Sequence, residues 1–189
     1  MKIPDNLKEY IEMLLEYNRN VNLVSRKITY LELEQLLSET LFLGQYLSYD
    51  QVVDAGSGNG ILGIPLALTH KNKKITLVEP KKKKILFLQQ VKEKMNLVNV
   101  DVQGIPIAAY VSVSAPGARE AKTLIARGFP GFDIFCRWIK QGRIAEAVII
   151  TSENKIKKNQ KVLESVKKKT YNIPWREHLK ILKMTKRDN

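Results

Sequence analysis

The sequence predicts an α/β protein: a parallel sheet covered by helices on both faces, with a helical N-terminal extension. Three observations carry this. Short apolar runs alternate with amphipathic stretches from residue 48 onward. One of those runs leads directly into VVDAGSGNGILG (52–63), where four glycines fall within eight positions. Residues 1–47 hold helical patterns and no strand pattern. At 189 residues and 44% hydrophobic content, one domain spanning 1–189 with a sizeable core is expected.

The elements follow in order. Leu7, Tyr10, Ile11, Leu14 and Leu15 recur at i, i+3, i+4, i+7 and i+8, the apolar face of a first helix over 6–17. NRNVNLVS (18–25) is a polar turn, and a second helix is expected over 30–46. QVVDA (51–55) is a short buried strand, and the glycine loop opens a helix at ILGIPLALTH. KKITLVE (73–79) is a second strand, followed by the helix PKKKKILFLQQVKEKMN, with Pro80 suited to a first turn that needs no N–H. VNVDVQ (98–103) and KTLIAR (122–127) read as strands, GFDIFCRWIKQ as a helix, AVIITSE as a strand, and HLKILKM (178–184) as a last strand. The segment 104–121 follows neither periodicity.

Composition narrows the function. The 32 Lys+Arg against 19 Asp+Glu leave a net charge of +13, which favours a polyanionic partner, nucleic acid first. Lysine outnumbers arginine three to one, so AT-rich coding contributes to the excess. No apolar run approaches the ~18 residues that cross a bilayer. MKIPDNLKEY lacks the apolar stretch of a signal peptide, so a cytoplasmic protein without membrane contact, monomeric by default, is expected. A single cysteine, Cys136, excludes an internal disulfide, and with His70 and His178 far apart no metal site is expected.

The glycine loop carries the chemistry. Gly58, Gly60 and Gly63 fit the GxGxxG template of a dinucleotide fold, a weak signal alone. The register argues otherwise: Asp54 ends the strand, and D-x-G-x-G-x-G runs from it through Gly60. That arrangement belongs to Rossmann-like class I S-adenosylmethionine methyltransferases. A pyrophosphate wants bare N–H groups at a helix N-terminus. S-adenosylmethionine brings an ammonium and a sulfonium instead, which a carboxylate offsets, while glycines admit the methionine portion. No Gly-Lys-Ser/Thr follows, so a Walker loop is excluded. Glu79 ends the second strand, 19 residues after Gly60, where a carboxylate can accept both ribose hydroxyls of the cofactor.

NVNLVS, VVDAGSGNGILGIPLAL, ITLVEPKKKKILFLQQV, IARGF and EHLKILKM together resemble the GidB-type 16S ribosomal RNA guanine methyltransferases, over nearly the whole chain. The resemblance implies methyl transfer from S-adenosylmethionine to nitrogen-7 of a guanosine in the small subunit, on a seven-strand sheet with extra N-terminal helices. It implies cofactor contacts at Asp54, Gly56, Ser57, Gly58, Gly60, Ile61 and Glu79, and at Ile107 and Ala108 near the adenine. It places Arg127 at the mouth of the site, joining cofactor and substrate, and Asn22, Lys83 and Lys84 toward the RNA. The family's His-x-x-Asp on the second helix is Leu36 and Glu39 here, its acid near the adenine is replaced by IPIAA, and Thr151 and Ser152 stand where it carries Leu-Lys-Gly. Asn59 replaces a more usual proline or alanine.

The basic runs and aromatics are read more plainly. KKKK (81–84) opposes the helix dipole, which suits either phosphate binding or a solvated face. KKNQK (157–161) and KKK (167–169) read as solvated surface or general RNA contacts, and Trp138 and Trp175 as packing residues. Phe129 fits either packing or stacking on a flipped base. Three further readings remain compatible with the residues: a methyltransferase for another RNA or a small molecule, a weak or inactive RNA-binding member of the fold, and a nicotinamide dehydrogenase.

Overall fold

The computed structural model describes residues 3–113, 122–129 and 131–187. Its centre is a seven-stranded sheet of order β3-β2-β1-β4-β5-β7-β6. The strands are β1 Gln51–Ala55, β2 Lys74–Val78, β3 Val100–Gln103, β4 Lys122–Arg127, β5 Glu146–Ser152, β6 Lys167–Asn172 and β7 Leu179–Thr185. The first five pair in parallel, β7 runs antiparallel to β5, and β6 antiparallel to β7. The chain leaves β1 toward β2 on one side and returns to β4 on the other. The carboxyl ends of β1 and β4 therefore flank a topological switch point, where open α/β sheets bind their ligands.

Eight helices accompany the strands in the described residues: α1 Asp5–Asn18, α2 Tyr30–Gly44, α3 Gly63–Thr69, α4 Lys82–Lys94, α5 Ile107–Val113, α6 Asp133–Lys140, α7 Glu153–Lys158 and α8 Gln160–Leu163. Helix α1 buries Leu7, Tyr10, Ile11 and Leu14 completely, as its periodicity predicts. Each fully buried leucine contributes roughly 1.5–3 kcal/mol. Helix α2 opens on a reciprocal cap: Thr29 Oγ1 accepts from the Glu32 amide at 3.2 Å, and Glu32 Oε2 from the Thr29 amide at 2.7 Å. Its inward stripe is Leu33, Leu37, Thr40 and Leu43, with Glu39 among them. Side chains of α1 and α2 share one apolar cluster with Val52, Ile75, Phe87 and Ile181, so the helical extension is built onto one face of the sheet. The other face packs on Phe132, Phe135, Trp138 and Ile139.

The differences from expectation have physical causes. Pro80 lies outside α4, whose N-cap is Lys81. The strand β6, KKKTYN, escapes the periodicity test because it is an edge strand with polar residues on both faces. Lysines there blunt the open edge against pairing with another chain. Of the unreadable stretch, Ile107–Val113 forms α5, and 114–121 falls outside the described residues. No helix among the described residues is long and apolar enough to cross a membrane.

Candidate functional site

The glycine loop hangs from the carboxyl end of β1, and its amides turn inward. Those of Gly56 and Ser57 both donate to the Val78 carbonyl, at 2.9 and 3.0 Å, and that of Gly60 to the Ser57 carbonyl at 2.8 Å. The Gly58 amide donates to Glu79 Oε2 at 2.9 Å, the Ile61 amide to Asn59 Oδ1 at 3.1 Å, and the Gly63 amide to Asp54 Oδ2 at 3.1 Å. A pyrophosphate site needs such amides bare and aimed outward. Here they are spent on holding the loop, which argues against a dinucleotide and against a phosphate cradle.

The glycines divide by role. Gly56 and Gly58 have φ of 73° and 61°, and a Cβ on Gly56 would meet nothing within 4 Å. Gly56 borders open space, while a Cβ on Gly58 would meet Lys84 Nζ and the Gly56 carbonyl at 3.6 and 3.8 Å, ordinary contact distances. Gly60 and Gly63 are packing glycines: an added Cβ would come within 2.7 Å of Ile64 Cγ1 and 2.1 Å of Leu77 Cδ2 respectively. From α1, the Tyr10 hydroxyl donates to the Asn59 carbonyl at 2.7 Å, and from α2, the Thr40 hydroxyl donates to the Ile61 carbonyl at 2.9 Å. The N-terminal helices thus clamp the loop from one side.

Two carboxylates lie against this loop. Asp54 is buried beneath it, and burial pushes its carboxyl up to about 7, with the nearby Glu79 charge adding to the rise against the Gly63 and Ser57 hydrogen bonds. Its visible work is holding the start of α3. Ser57 is likewise turned inward, its hydroxyl donating to the Asp54 carbonyl at 3.0 Å. Glu79 is buried at the tip of β2, with Oε1 accepting from the Lys81 amide and Oε2 from the Gly58 amide, both at 2.9 Å. Each oxygen keeps a further lone pair, so the carboxylate is pre-oriented and can still accept a ribose hydroxyl. Lys84 Nζ stands 3.6 Å from where a Gly58 Cβ would be, which puts an ammonium at the loop instead of at a distant RNA surface. Two acids and one lysine around open glycines fit a ligand that carries both cationic centres and a carboxylate.

Across the switch point, Arg127 ends β4. It does not stand free at the mouth: its Nη2 pairs with Glu39 Oε2 at 2.6 Å, and Arg176 Nε pairs with Glu39 Oε1 at 2.9 Å. Glu39 is fully buried, while the two arginine side chains are 24% and 27% exposed. Arg176 was not singled out by sequence reasoning. The available signal was Glu39 itself, an acid on the apolar stripe of α2, since a buried charge demands a partner.

The remaining residues scatter. Ile107 and Ala108 open α5 beyond the end of β3, half-buried and exposed respectively. Ile61 is buried with the α2 packing layer. Asn22 and Lys83 are exposed. Beside Asn22, Asn18 does the structural work of that turn, its Oδ1 accepting from the Leu23 and Val24 amides at 2.8 and 3.0 Å. Phe129 packs on Phe135 with ring centroids 4.6 Å apart. Ser152 caps α7, its Oγ accepting from the Lys155 amide at 3.2 Å. Trp138 is a core residue, and Trp175 is 42% exposed while packing edge-on against Phe42, ring centroids 5.5 Å apart. Cys136 is a buried residue of α6, and burial raises its thiol pKa.

Comparison with known proteins gives this arrangement a lineage. The family model described as GidB, rRNA small subunit methyltransferase G, matches residues 3–180. A ribosomal RNA small subunit methyltransferase G from Brachyspira hyodysenteriae is 30% identical over 184 residues, covering 92% of this chain and 85% of that protein. One from Nitrosomonas eutropha is 30% identical over 138 residues, covering 73% of this chain and 62% of its own length. In three dimensions the chain is similar to magnesium protoporphyrin IX methyltransferase from Synechocystis PCC 6803 with bound SAM, at a TM-score of 0.56 and 14% identity over 94% of this chain and 97% of that one, a likeness of fold. With the glycine loop, Glu79 and Arg127 gathered at one switch point and the match running almost end to end, the chain belongs to the GidB family of rRNA small subunit methyltransferase G proteins.

Proposed function

We propose that this protein transfers a methyl group from S-adenosylmethionine to nitrogen-7 of a guanosine in small-subunit ribosomal RNA, in the cytoplasm and as a monomer. The observation that carries the reading is the glycine loop whose amides are internally spent and whose flanks are two carboxylates. Such a loop suits a cationic ligand and not a phosphate. Gly56 and Gly58 border the space for its methionine portion, Lys84 would pair with its carboxylate, and Glu79 would hold its ribose. Ile107 and Ala108 would wall the adenine. When bound, the cofactor supplies an electrophilic methyl group on a sulfonium.

The chain's own residues then have only to position the base. Guanine nitrogen-7 has an in-plane lone pair and no proton, so no general base is required, and neither histidine nor Cys136 needs a catalytic role. Proximity and orientation can supply roughly 7–11 kcal/mol of such a barrier. Arg127, fixed by Glu39, is the group at the switch point that can orient both partners. The net charge of +13, with Lys83 and Asn22 exposed on the approach, supports an RNA partner.

The test is methyl transfer from labelled S-adenosylmethionine to small ribosomal subunits lacking the modification, followed by digestion to nucleosides. Label in 7-methylguanosine is the expected result. Intact cofactor affinity with no label in that nucleoside would refute the acceptor, and absent affinity would refute the site.

A further inference from the structure

Helix α2 runs from the carboxyl edge of the sheet toward the amino edge. Thr40, one turn before its end, touches the glycine loop, and Ser48, just beyond its end, donates its amide to Glu146 at the start of β5. Its first two turns therefore stand at the carboxyl edge. The β6–β7 connection reaches the same edge, because Leu179 at the start of β7 pairs with Ser152 at the end of β5. Between the two lies an open cleft of about 420 Å³, lined by Leu31, Glu34, Gln35, Ser38 and Trp175.

The lining is unusual for a surface that only meets water. Leu31 is 73% exposed and Trp175 42% exposed. The indole is braced edge-on by Phe42, ring centroids 5.5 Å apart, which fixes its plane. Glu34, Gln35 and Ser38 set polar groups along an otherwise apolar wall. Arg176 follows Trp175 directly, paired with Glu39 through Nε at 2.9 Å and 27% exposed, so a guanidinium stands beside the indole, while Glu34 is the one acid in the lining. An exposed aromatic face with a few hydrogen-bonding groups and an adjacent, partly exposed arginine, on a chain of net charge +13, is the chemistry that receives single-stranded RNA, whose bases stack on aromatic rings while arginines take the phosphates.

We propose that this cleft receives an unpaired RNA base next to the methylated guanosine, stacked on Trp175 with its flanking phosphate at Arg176. The base is a neighbour and not the target, because no residue of the glycine loop lines this cleft. The assignment rests on the RNA-methylating reading above. It makes Trp175 a positioning residue that sets which RNA segment is presented.

Two measurements test it. In the first, the emission difference between the parent protein and Trp175→Phe isolates Trp175, and a decameric oligoadenylate is titrated in. Saturable quenching is expected. In the second, methyl transfer to unmodified small subunits is compared for Trp175→Ala, Trp175→Phe and the parent. Trp175→Ala should raise KM for subunits about ten- to a hundredfold, the range of one base–aromatic stack, with cofactor affinity and thermal unfolding nearly unchanged. Trp175→Phe should recover most of the loss. An unchanged KM in Trp175→Ala, or no quenching, overturns the proposal. So does a Trp175 signal that depends on protein concentration without RNA, since a second copy would then cover the cleft. If the parent labels no RNA but oligoadenylate still quenches Trp175, the proposed reaction fails and the base-binding cleft stands.

Discussion

Two fully buried glutamates sit at opposite edges of the same sheet, and they are partnered in opposite ways. Glu146, at the amino edge, accepts from the Ser48 amide at 2.7 Å and the Thr123 hydroxyl at 2.6 Å through Oε1, and faces Lys183 at 2.9 Å through Oε2. Lys183 goes on to the Tyr46 carbonyl at 2.8 Å and the Ser48 hydroxyl at 2.6 Å. One anion meets one cation, and hydrogen bonds tie β4, β5, β7 and the end of α2. Glu39, at the carboxyl edge, meets two guanidinium groups, and neither of its oxygens has an aligned hydrogen bond, whereas Glu146 lacks one at Oε2 alone. Arg127 Nη1 is buried there without a hydrogen-bond partner among the described residues. A charge-matched pair anchored by two hydrogen bonds at Oε1 holds a fold. An over-charged, under-bonded cluster holds groups ready for a further anionic partner, and it lies where the glycine loop does.

The largest effect should come from breaking the amino-edge pair. Glu146→Ala strands Thr123, Lys183 and the Ser48 amide, and removing one member of a buried pair costs about 3–5 kcal/mol. Denaturant unfolding should show that loss, while turnover per folded molecule stays near the parent value. Glu39→Ala should do the reverse. Its two arginines are part exposed and can turn to water, so about 1–2 kcal/mol is expected from unfolding, a discounted value for screened groups. Turnover should fall more than tenfold, because Arg127 loses the anchor that orients it. If both variants lose only stability, the division between a structural edge and a working edge is wrong.

Asp54 gives a pH test of the working edge. Its folded carboxyl titrates near 7 against 3.8 in the unfolded chain, so between those values the folded protein holds a proton that the unfolded chain has released. The contribution is fully present below the unfolded value and is lost as pH rises toward 7, with a slope of at most about 1.4 kcal/mol per unit. Stability measured from pH 5 to 8 should fall, and Asp54→Asn, which still accepts from the Gly63 amide, should flatten that part of the slope. An identical slope in the variant would assign the pH dependence elsewhere.

These contrasts also show what the sequence could say. The sheet strands with apolar runs were legible because a parallel strand buried on both faces has no other reading. Strand β6 was not, since its lysines give it the look of a solvated tail. The glycine loop was legible from Asp54, Gly56, Gly58 and Gly60, where positive φ and close packing leave few alternatives. Its inward-turned amides were not, because they depend on the Val78 carbonyl and the Glu79 carboxylate of a neighbouring strand. Glu39 enters the sequence reading only as the counterpart of a family acid on the second helix, and its partners come from 88 and 137 residues away, at Arg127 and Arg176. Pairing across such separations is a property of the fold and leaves no local pattern.

The smallest effect tests how far the helical extension reaches into the site. The Tyr10 hydroxyl, fully buried and with its pKa raised well above the usual value by burial and by Asp54, donates to the Asn59 carbonyl. Tyr10→Phe keeps the ring in the core and removes that bond alone. About 1 kcal/mol of stability should be lost, the usual net worth of one hydrogen bond. If α1 only covers the sheet, cofactor affinity will not follow. If the hydroxyl fixes the loop between Gly58 and Gly60, affinity for S-adenosylmethionine should weaken several-fold, because part of the binding energy must then go into ordering the loop. Calorimetric titration of the parent and Tyr10→Phe separates the two, and an unchanged affinity would confine α1 to the fold.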